Sequence, residues 1–290
     1  AALTGCAAQN PADALTQGAT SICKSGTEHS NIDQVSVKGD FHKVPEVDFA
    51  TGITGSSIET KVLVEGKGPQ IFGNQQVKLE IEAINGGNKK KLVSTNFDGS
   101  DAQSMYLAPG QVPDFCNALG GVREGSRVAV LYPPKYAHNL QGIADLGVKP
   151  TDSLVFVFDV LKVYLPMALG DTKALPVGFP PVNVVRATNG VPGITIPKVA
   201  APTDLSIATL IEGRGQKVAM GDNVTLQYSG FLWKEHTQFD SSWDKGKPAQ
   251  FELKQGGLID GFLKAVVGQK VGSQVVAVIP PSQGYGAQGT

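Results

Sequence analysis

The sequence predicts an α+β protein of two similar domains, each an antiparallel sheet wrapped around one short helix. Three observations carry that expectation. Short runs of alternating apolar residues, rich in β-branched and aromatic types, recur along the 290 residues with the period of half-buried strands. One stretch with helical spacing lies among them. Short matches between the two halves recur at one offset, as a duplicated domain would leave them.

The elements of the second half are the clearer ones. Residues 205–211 (LSIATLI) and 224–228 (VTLQY) alternate. Residues 274–279 form a continuous apolar run that stops at Pro280-Pro281, where proline ends a strand. Between them, Leu258, Ile259, Phe262, Leu263 and Val266 share one face of a short helix. A short helix against several antiparallel strands is an α+β unit.

The matches fix the register of the halves. Pro45-Glu46-Val47-Asp48-Phe49 resembles Pro192-Gly193-Ile194-Thr195-Ile196, an offset of 192 − 45 = 147. The same offset relates Val64-Glu65-Gly66-Lys67-Gly68 to Ile211-Glu212-Gly213-Arg214-Gly215, and Val77-Lys78-Leu79 to Val224-Thr225-Leu226. It also relates Gly125 to Gly272 and Pro133-Pro134 to Pro280-Pro281. Phe97-Asp98 aligns with Phe239-Asp240 at 239 − 97 = 142, which implies five extra residues in the first copy and a compensating deletion before Gly125.

Composition removes several classes of function. Lys plus Arg total 25 and Asp plus Glu 26, a net charge of −1, so a broad basic surface is ruled out as the main binding device and no nucleic-acid partner is expected. Hydrophobic residues at 41% suffice for a core. The 35 glycines follow no three-residue period, which excludes collagen and points to turns. No run of eighteen apolar residues occurs, so no spanning helix is expected. Cys6, Cys23 and Cys116 are too few for a disulfide scaffold and lack metal spacing. The four histidines are scattered, and neither a metal nor a cofactor is expected.

Residues Leu3-Thr4-Gly5-Cys6 resemble the bacterial lipobox, in which the Cys is lipidated and becomes the mature N-terminus. The resemblance implies a lipid on Cys6 that anchors the chain to a membrane, extracytoplasmic in a bacterial cell envelope. A lipid anchor is a different device from a spanning helix. The apolar and charged parts of a signal peptide do not precede the motif, so the sequence is expected to begin inside one. From Ala7 to about Gln34 the chain is polar and aperiodic, and reads as a flexible tether. The expected divisions are a lipobox and tether at 1–34, a first domain at 35–164, a linker or wrapping arm at 165–193 marked by Pro166, Pro176, Pro180, Pro181 and Pro192, and a second domain at 194–290.

The second copy carries an ordered set: Tyr228-Ser229-Gly230, Phe239-Asp240-Ser241-Ser242, Lys247-Pro248, Leu258-Ile259-Asp260-Gly261-Phe262, Val271-Gly272 and Pro280-Pro281 to Tyr285-Gly286. This set resembles the FKBP-type peptidyl-prolyl cis-trans isomerases, and with the repeat the likeness extends over residues 45–290 as two tandem domains. The resemblance implies that Phe262 forms a pocket floor with Tyr228, Phe239 and Leu258 around it. It further implies that the Ile259 N–H and the Tyr285 hydroxyl bind substrate carbonyls, and that Asp240 acts on the polarised amide. The chemistry suits the residues: an X–Pro bond crosses a barrier of about 20 kcal/mol set by amide resonance, and a dry aromatic pocket lowers it without a nucleophile or cofactor.

Three departures qualify the likeness. Phe262 stands where the family usually has Trp, and Ala249 follows Lys247-Pro248 where an aromatic wall is often found. The final strand, Leu154-Val155-Phe156-Val157-Phe158 in the first copy, has its counterpart expected near 301–305, past Thr290. In the first copy Phe97, Asp98 and Phe115 remain, Pro113 stands at the helix start, Ile81 replaces the wall tyrosine and His138 the second tyrosine, while Phe156 matches a pocket-lining position. Expected partners are proline-containing polypeptides, exported or envelope proteins among them, with macrolide ligands as a family property. A non-catalytic chaperone or docking module that holds proline-containing segments is the alternative.

Overall fold

The computed structural model describes residues 10–24 and 30–286, so the lipobox and its Cys6 lie outside the described residues. The chain divides into two compact units, residues 1–13 with 19–164 and residues 14–18 with 165–290. A short helix α1 (Pro11–Thr16) comes first, then a hairpin of β1 (Ser36–Lys38) and β2 (Glu46–Asp48). The main sheet of the first unit contains β3 (Glu59–Val64), β4 (Gln75–Asn85), β5 (Lys91–Ser94), β6 (Gln103–Leu107), β7 (Arg127–Tyr132) and β8 (Leu154–Val163). All pairings are antiparallel, in the order β3-β7-β8-β4-β5. The long strand β4 gives the first half of its outer edge to β6 and the second half to β5.

Period-two patterning covers both faces of this sheet. Val128, Val130 and Tyr132 of β7, with Leu154, Phe156 and Phe158 of β8, pack against the helix α2 (Phe115–Leu119). The Asp114 carboxylate caps that helix by accepting the Asn117 N–H at 2.9 Å. A second short helix, α3 (Pro134–His138), starts at a proline in the first turn, where its missing N–H costs nothing. Ala129, Leu131 and Val155 point to the other face, under Ile32, Val35, Phe49 and Ile53. That face also holds a buried ion pair. Arg127 donates to both oxygens of Asp159 at 2.6 and 2.8 Å, and to the carbonyls of Gly39 and Lys43 at 2.8 and 2.6 Å. Such a pair is tolerable inside only because its hydrogen bonds are filled, and those bonds tie down the turn between β1 and β2.

The tether expected through Gln34 is corrected over its described part. Ile32 is fully buried, the Ile22 and Cys23 N–H groups donate to Phe72 O at 2.8 and 3.1 Å, and Cys23 forms a disulfide with Cys116 of α2, Cα–Cα 5.1 Å. Polarity concealed this segment, because its anchors are backbone bonds and one covalent bond. Too few cysteines for a scaffold still suffice for one bridge, and a disulfide needs closeness in space, which sequence spacing does not report.

The second unit contains β9 (Gly170–Thr172), β10 (Asn183–Arg186), β11 (Pro192–Thr195), β12 (Ser206–Gly213), β13 (Asn223–Leu226), β14 (Ser229–Phe231), β15 (Gln238–Ser241), β16 (Ala249–Glu252), α4 (Asp260–Val266) and β17 (Gln274–Val278). Its ladders are β17-β12-β9, β10-β11, β13-β16 and β14-β15. The 165–193 segment is therefore not a bare linker. β9 extends the sheet edge at β12, β10 pairs with β11, and Val182 is buried with Ala208 and Val276.

The ladders of the two units share their irregularities. A bulge falls between Thr209 and Ile211 where β12 meets β17, and between Val62 and Val64 where β3 meets β7, 209 − 62 = 147 residues earlier. Another falls between Gly230 and Phe231 beside β15, and between Ala83 and Ile84 beside β5, again 230 − 83 = 147 apart. Close approaches repeat as well. A Cβ on Gly213 would lie 2.3 Å from Val271 O, and one on Gly66 2.2 Å from Glu124 O, so both positions exclude any side chain. The register also corrects one alignment. Ser229 faces Ser241 and Glu82 faces Ser94, so Phe239-Asp240 correspond to Leu92-Val93, and Phe97-Asp98 lie in the loop after β5. Strand pairing, and not dipeptide identity, sets the correspondence. In the first unit β8 lies between β7 and β4, whereas among the described residues no strand joins β17 to β13 or β14.

The disulfide closes a span of 93 residues and restricts the unfolded chain, a contribution of about 2–5 kcal/mol. Replacing Cys23 and Cys116 together by Ser should lower the urea midpoint of the first unit by that equivalent, and reductant should do the same to the native chain. An unchanged midpoint in both would show that the bridge contributes nothing.

Candidate functional site

The bulge beside β15 builds one wall of the site. Gly230 faces Asp240 and Phe231 faces Gln238, so Phe239 is the extra residue. A bulge re-aims side chains that strict alternation would send to opposite faces, and here two successive residues serve one site. The Phe239 ring lies over Gly230, where a Cβ would stand 2.6 Å from its Cζ. Glycine at 230 is what seats that ring.

Asp240 meets Tyr228, the residue just before β14. The Tyr228 hydroxyl donates to Asp240 Oδ2 at 2.5 Å, Lys245 Nζ donates to Oδ1 at 2.5 Å, and the Ser241 N–H donates to Oδ1 at 2.9 Å. Lys245 also lies over the Tyr228 ring, 5.9 Å from its centroid. The hydrogen bond from Lys245, with that from Tyr228, holds the Asp240 carboxyl below its ordinary value. Burial and the adjacent carboxylate push the Tyr228 phenol up, and Asp240 raises Lys245. The result is a fixed negative charge on an aromatic wall, with its side chain 34% exposed.

The helix α4 supplies the floor. Phe262 stands in its first turn, its N–H bonded to Ile259 O at 3.0 Å. Its ring packs edge-on against Tyr228 at 6.3 Å and Phe251 at 5.4 Å, and Phe251 reaches Tyr228 at 5.9 Å. Gly261 lets the helix approach Ile279, where a Cβ would come within 2.4 Å of Cγ2. Ile259 precedes the helix in extended conformation, and its N–H has no hydrogen bond to another described residue. Leu258 bridges back to Gln255. Phe239 and Tyr285 meet edge-on at 6.2 Å and remain 43% and 50% exposed, an apolar rim at the surface.

The fold thus gathers Tyr228, Asp240 and Phe262 into one cluster and joins Phe239 to Tyr285, with Leu258 and Ile259 one turn ahead of Phe262. Sequence reasoning missed Phe251 and Lys245. Phe251 was findable: it follows Ala249 by two residues on β16, so it shares the face on which an aromatic wall was sought. Lys245 carried no spacing signal.

The corresponding region of the first unit carries different side chains around an open cavity of about 490 Å³, lined by Tyr106, Val112, Pro113 and Phe115 among others. Ile81 is buried at the place of Tyr228, and Leu92-Val93 stand for Phe239-Asp240. Phe115 packs against Tyr132, Phe156 and Phe158 at 6.0, 5.5 and 5.4 Å. His138 is 7% exposed and committed at both ring nitrogens: Nδ1 accepts the Gly142 N–H at 3.0 Å, so Nε2 carries the proton and donates to Asp152 O at 2.8 Å. It has nothing left to offer a ligand.

A folded-state pKa held below its unfolded value gives Asp240 a stabilising contribution that is present above the ordinary value of 3.8 and lost as pH falls through the folded one. In the native chain the Asp240 carboxyl carbon should titrate below 3.8, and in Lys245→Met it should move upward. An unmoved NMR titration in that variant would remove Lys245 as the cause.

The FKBP-type peptidyl-prolyl cis-trans isomerase profile matches residues 214–290, which contain the whole cluster. A "Probable FK506-binding protein" of Corynebacterium glutamicum is 39% identical over 99 residues, 34% of this chain and 82% of that protein. The FK506-binding protein of Streptomyces anulatus is 36% identical over 98 residues, 34% of this chain and 79% of that one. Among solved structures, the three FKBP domains of wheat FKBP73 align at a TM-score of 0.38 and 19% identity, covering 80% of this chain and 84% of that one. Identity at this level over most of a relative's length makes the chain a member of the FKBP-type peptidyl-prolyl cis-trans isomerases, and an enzyme of that type.

Proposed function

We propose that catalysis belongs to the second unit, and that the first is a second FKBP-like copy whose cleft lacks the tyrosine–aspartate wall and which serves as scaffold or weak binder. The observation that carries this reading is the Tyr228–Asp240–Lys245 group beside an aromatic floor, set against Ile81, Val93 and His138 in the first unit. A prolyl ring on Phe262 leaves water. Water stabilises the planar, charge-separated amide more than the twisted one, so a dry cleft lowers the barrier. The unpartnered Ile259 N–H and the Tyr285 hydroxyl hold carbonyls on either side of the bond. Asp240 acts as a fixed charge on the polarised amide, with no proton transferred. FK506-type ligands, which name the relatives, fit the same aromatic cleft.

Asp240→Asn in the full chain should lower kcat/KM for a proline peptide by about tenfold or more, a loss of at least ~1.4 kcal/mol, while peptide affinity changes little. Phe115→Leu in the first unit should leave turnover within about twofold, since the reacting bond sits in the other unit. Full activity in Asp240→Asn would remove the electrostatic role, and an equal loss in Phe115→Leu would end the division between units. Peptide binding without turnover in the native chain would favour the docking-module reading.

The proposed setting is outside the bacterial cytoplasm, with exported or envelope proteins as substrates and a lipid on Cys6 as anchor. Two features support it: the lipobox-like Leu3-Thr4-Gly5-Cys6, and the Cys23–Cys116 disulfide, which persists in oxidising compartments. Fatty-acid labelling in cells should mark the native chain and not Cys6→Ser. Equal label on both would refute the anchor.

A further inference from the structure

The Phe97-Asp98 pair, displaced from the catalytic correspondence, sits in the loop Asn96-Phe97-Asp98-Gly99-Ser100-Asp101 after β5. We propose that this loop and Glu80 of β4 form a site for a hard divalent cation, Ca2+. One carboxylate oxygen from each of Glu80, Asp98 and Asp101 lies within 4.8 Å of the others. Oxygens around one Ca2+ at about 2.3–2.6 Å have this separation.

Each carboxylate uses one oxygen to shape the loop. Glu80 Oε1 accepts the Gly99 N–H at 2.6 Å. Asp98 Oδ1 accepts the Ser100 N–H at 2.9 Å and its hydroxyl at 2.5 Å. Asp101 Oδ1 accepts the Asn96 N–H at 2.8 Å. The second oxygens, Glu80 Oε2, Asp98 Oδ2 and Asp101 Oδ2, accept no hydrogen bond among the described residues.

The independent observation is the state of Glu80. Its side chain is fully buried and Oε2 has no partner. A buried carboxylate without a cation is costly, and the protein offers it none. Asp159 faces Glu80 across the sheet, but the Arg127 guanidinium there is committed to Asp159, Gly39 O and Lys43 O. Asp159 is equally committed, to Arg127 and the His42 N–H. A divalent ion held between Glu80 and the two loop aspartates supplies the missing charge and a partner for Oε2. The second unit makes the contrast. At 80 + 147 = 227 it carries Gln227, whose Oε1 accepts the Ser242 hydroxyl at 2.5 Å, so its neutral side chain needs no cation. Three carboxylates leave the rest of the coordination shell to water and backbone oxygens, which sets the affinity in the weak range of extracellular Ca2+ modules, about 10⁻⁴–10⁻³ M.

The test uses the full chain, stripped with EDTA and dialysed, then titrated with CaCl2 in a calorimeter and melted with and without about 5 mM CaCl2, above that weak range. One Ca2+ per chain and a raised Tm are expected. Asp98→Asn with Asp101→Asn keeps the acceptors that shape the loop and removes two like charges beside Glu80, so its Tm in EDTA should be no lower than that of the native chain while its response to Ca2+ is lost. Glu80→Gln should weaken binding at least tenfold and raise the Tm in EDTA, since it removes the unpaired buried charge. Absence of heat and of a Tm shift in the native chain would overturn the proposal, as would an undiminished response in the double variant. Tighter binding of Mg2+ than of Ca2+ would overturn the assignment to Ca2+.

Discussion

The site in the second unit depends on one backbone irregularity, the bulge that leaves Phe239 without a cross-strand partner opposite Gly230 and Phe231. Regular pairing would send Phe239 and Asp240 to opposite faces. The bulge lets the ring settle over Gly230 toward Tyr285 while the next carboxylate reaches Tyr228. Once Asp240 is there, Lys245 follows by charge, and Tyr228 is held edge-on to Phe262 and Phe251. A side chain at 230 would displace the ring. The glycine is therefore as much a part of the site as the groups that line it.

The first unit keeps the bulge and changes what it carries. Ala83 stands where Gly230 does, and Leu92-Val93 where the ring and carboxylate do. An alanine Cβ occupies the space that an aromatic ring would need, so the substitutions are mutually consistent. Behind them Phe156 stacks on Phe158, and both meet Phe115 edge-on. Burial of this kind contributes about 1.5–3 kcal/mol for each large side chain.

The strands and the helix were legible because they rest on periodicity, and the order of the second-unit motifs was legible because each is local. β12, β17 and α4 fall on the runs read from sequence, within a residue or two at their ends. What was hidden lies between distant residues. The Cys23–Cys116 bridge, the Arg127 contacts to Gly39 and Lys43, and the packing of Val182 under Ala208 each join segments that share no local pattern. Phe97-Asp98 misled for the opposite reason: a dipeptide match is local, whereas register is not. Phe251 needed only a two-residue step along β16, but that step requires knowing that 249–252 is a strand.

Exposure separates the two units by the same logic. In an ordinary domain an aromatic pair at the surface is a liability, since burying it would stabilise the fold. Phe239 and Tyr285 are 43% and 50% exposed, and their contact fixes one edge of an apolar rim. The groups behind them are more committed: Asp240 accepts three hydrogen bonds and Tyr228 is braced by two rings. A cleft that must admit a prolyl ring needs a rigid charged wall and an uncovered apolar edge together, because substrate supplies the missing burial. The valine at 93 and the carboxylate at 240 are two uses of one strand register.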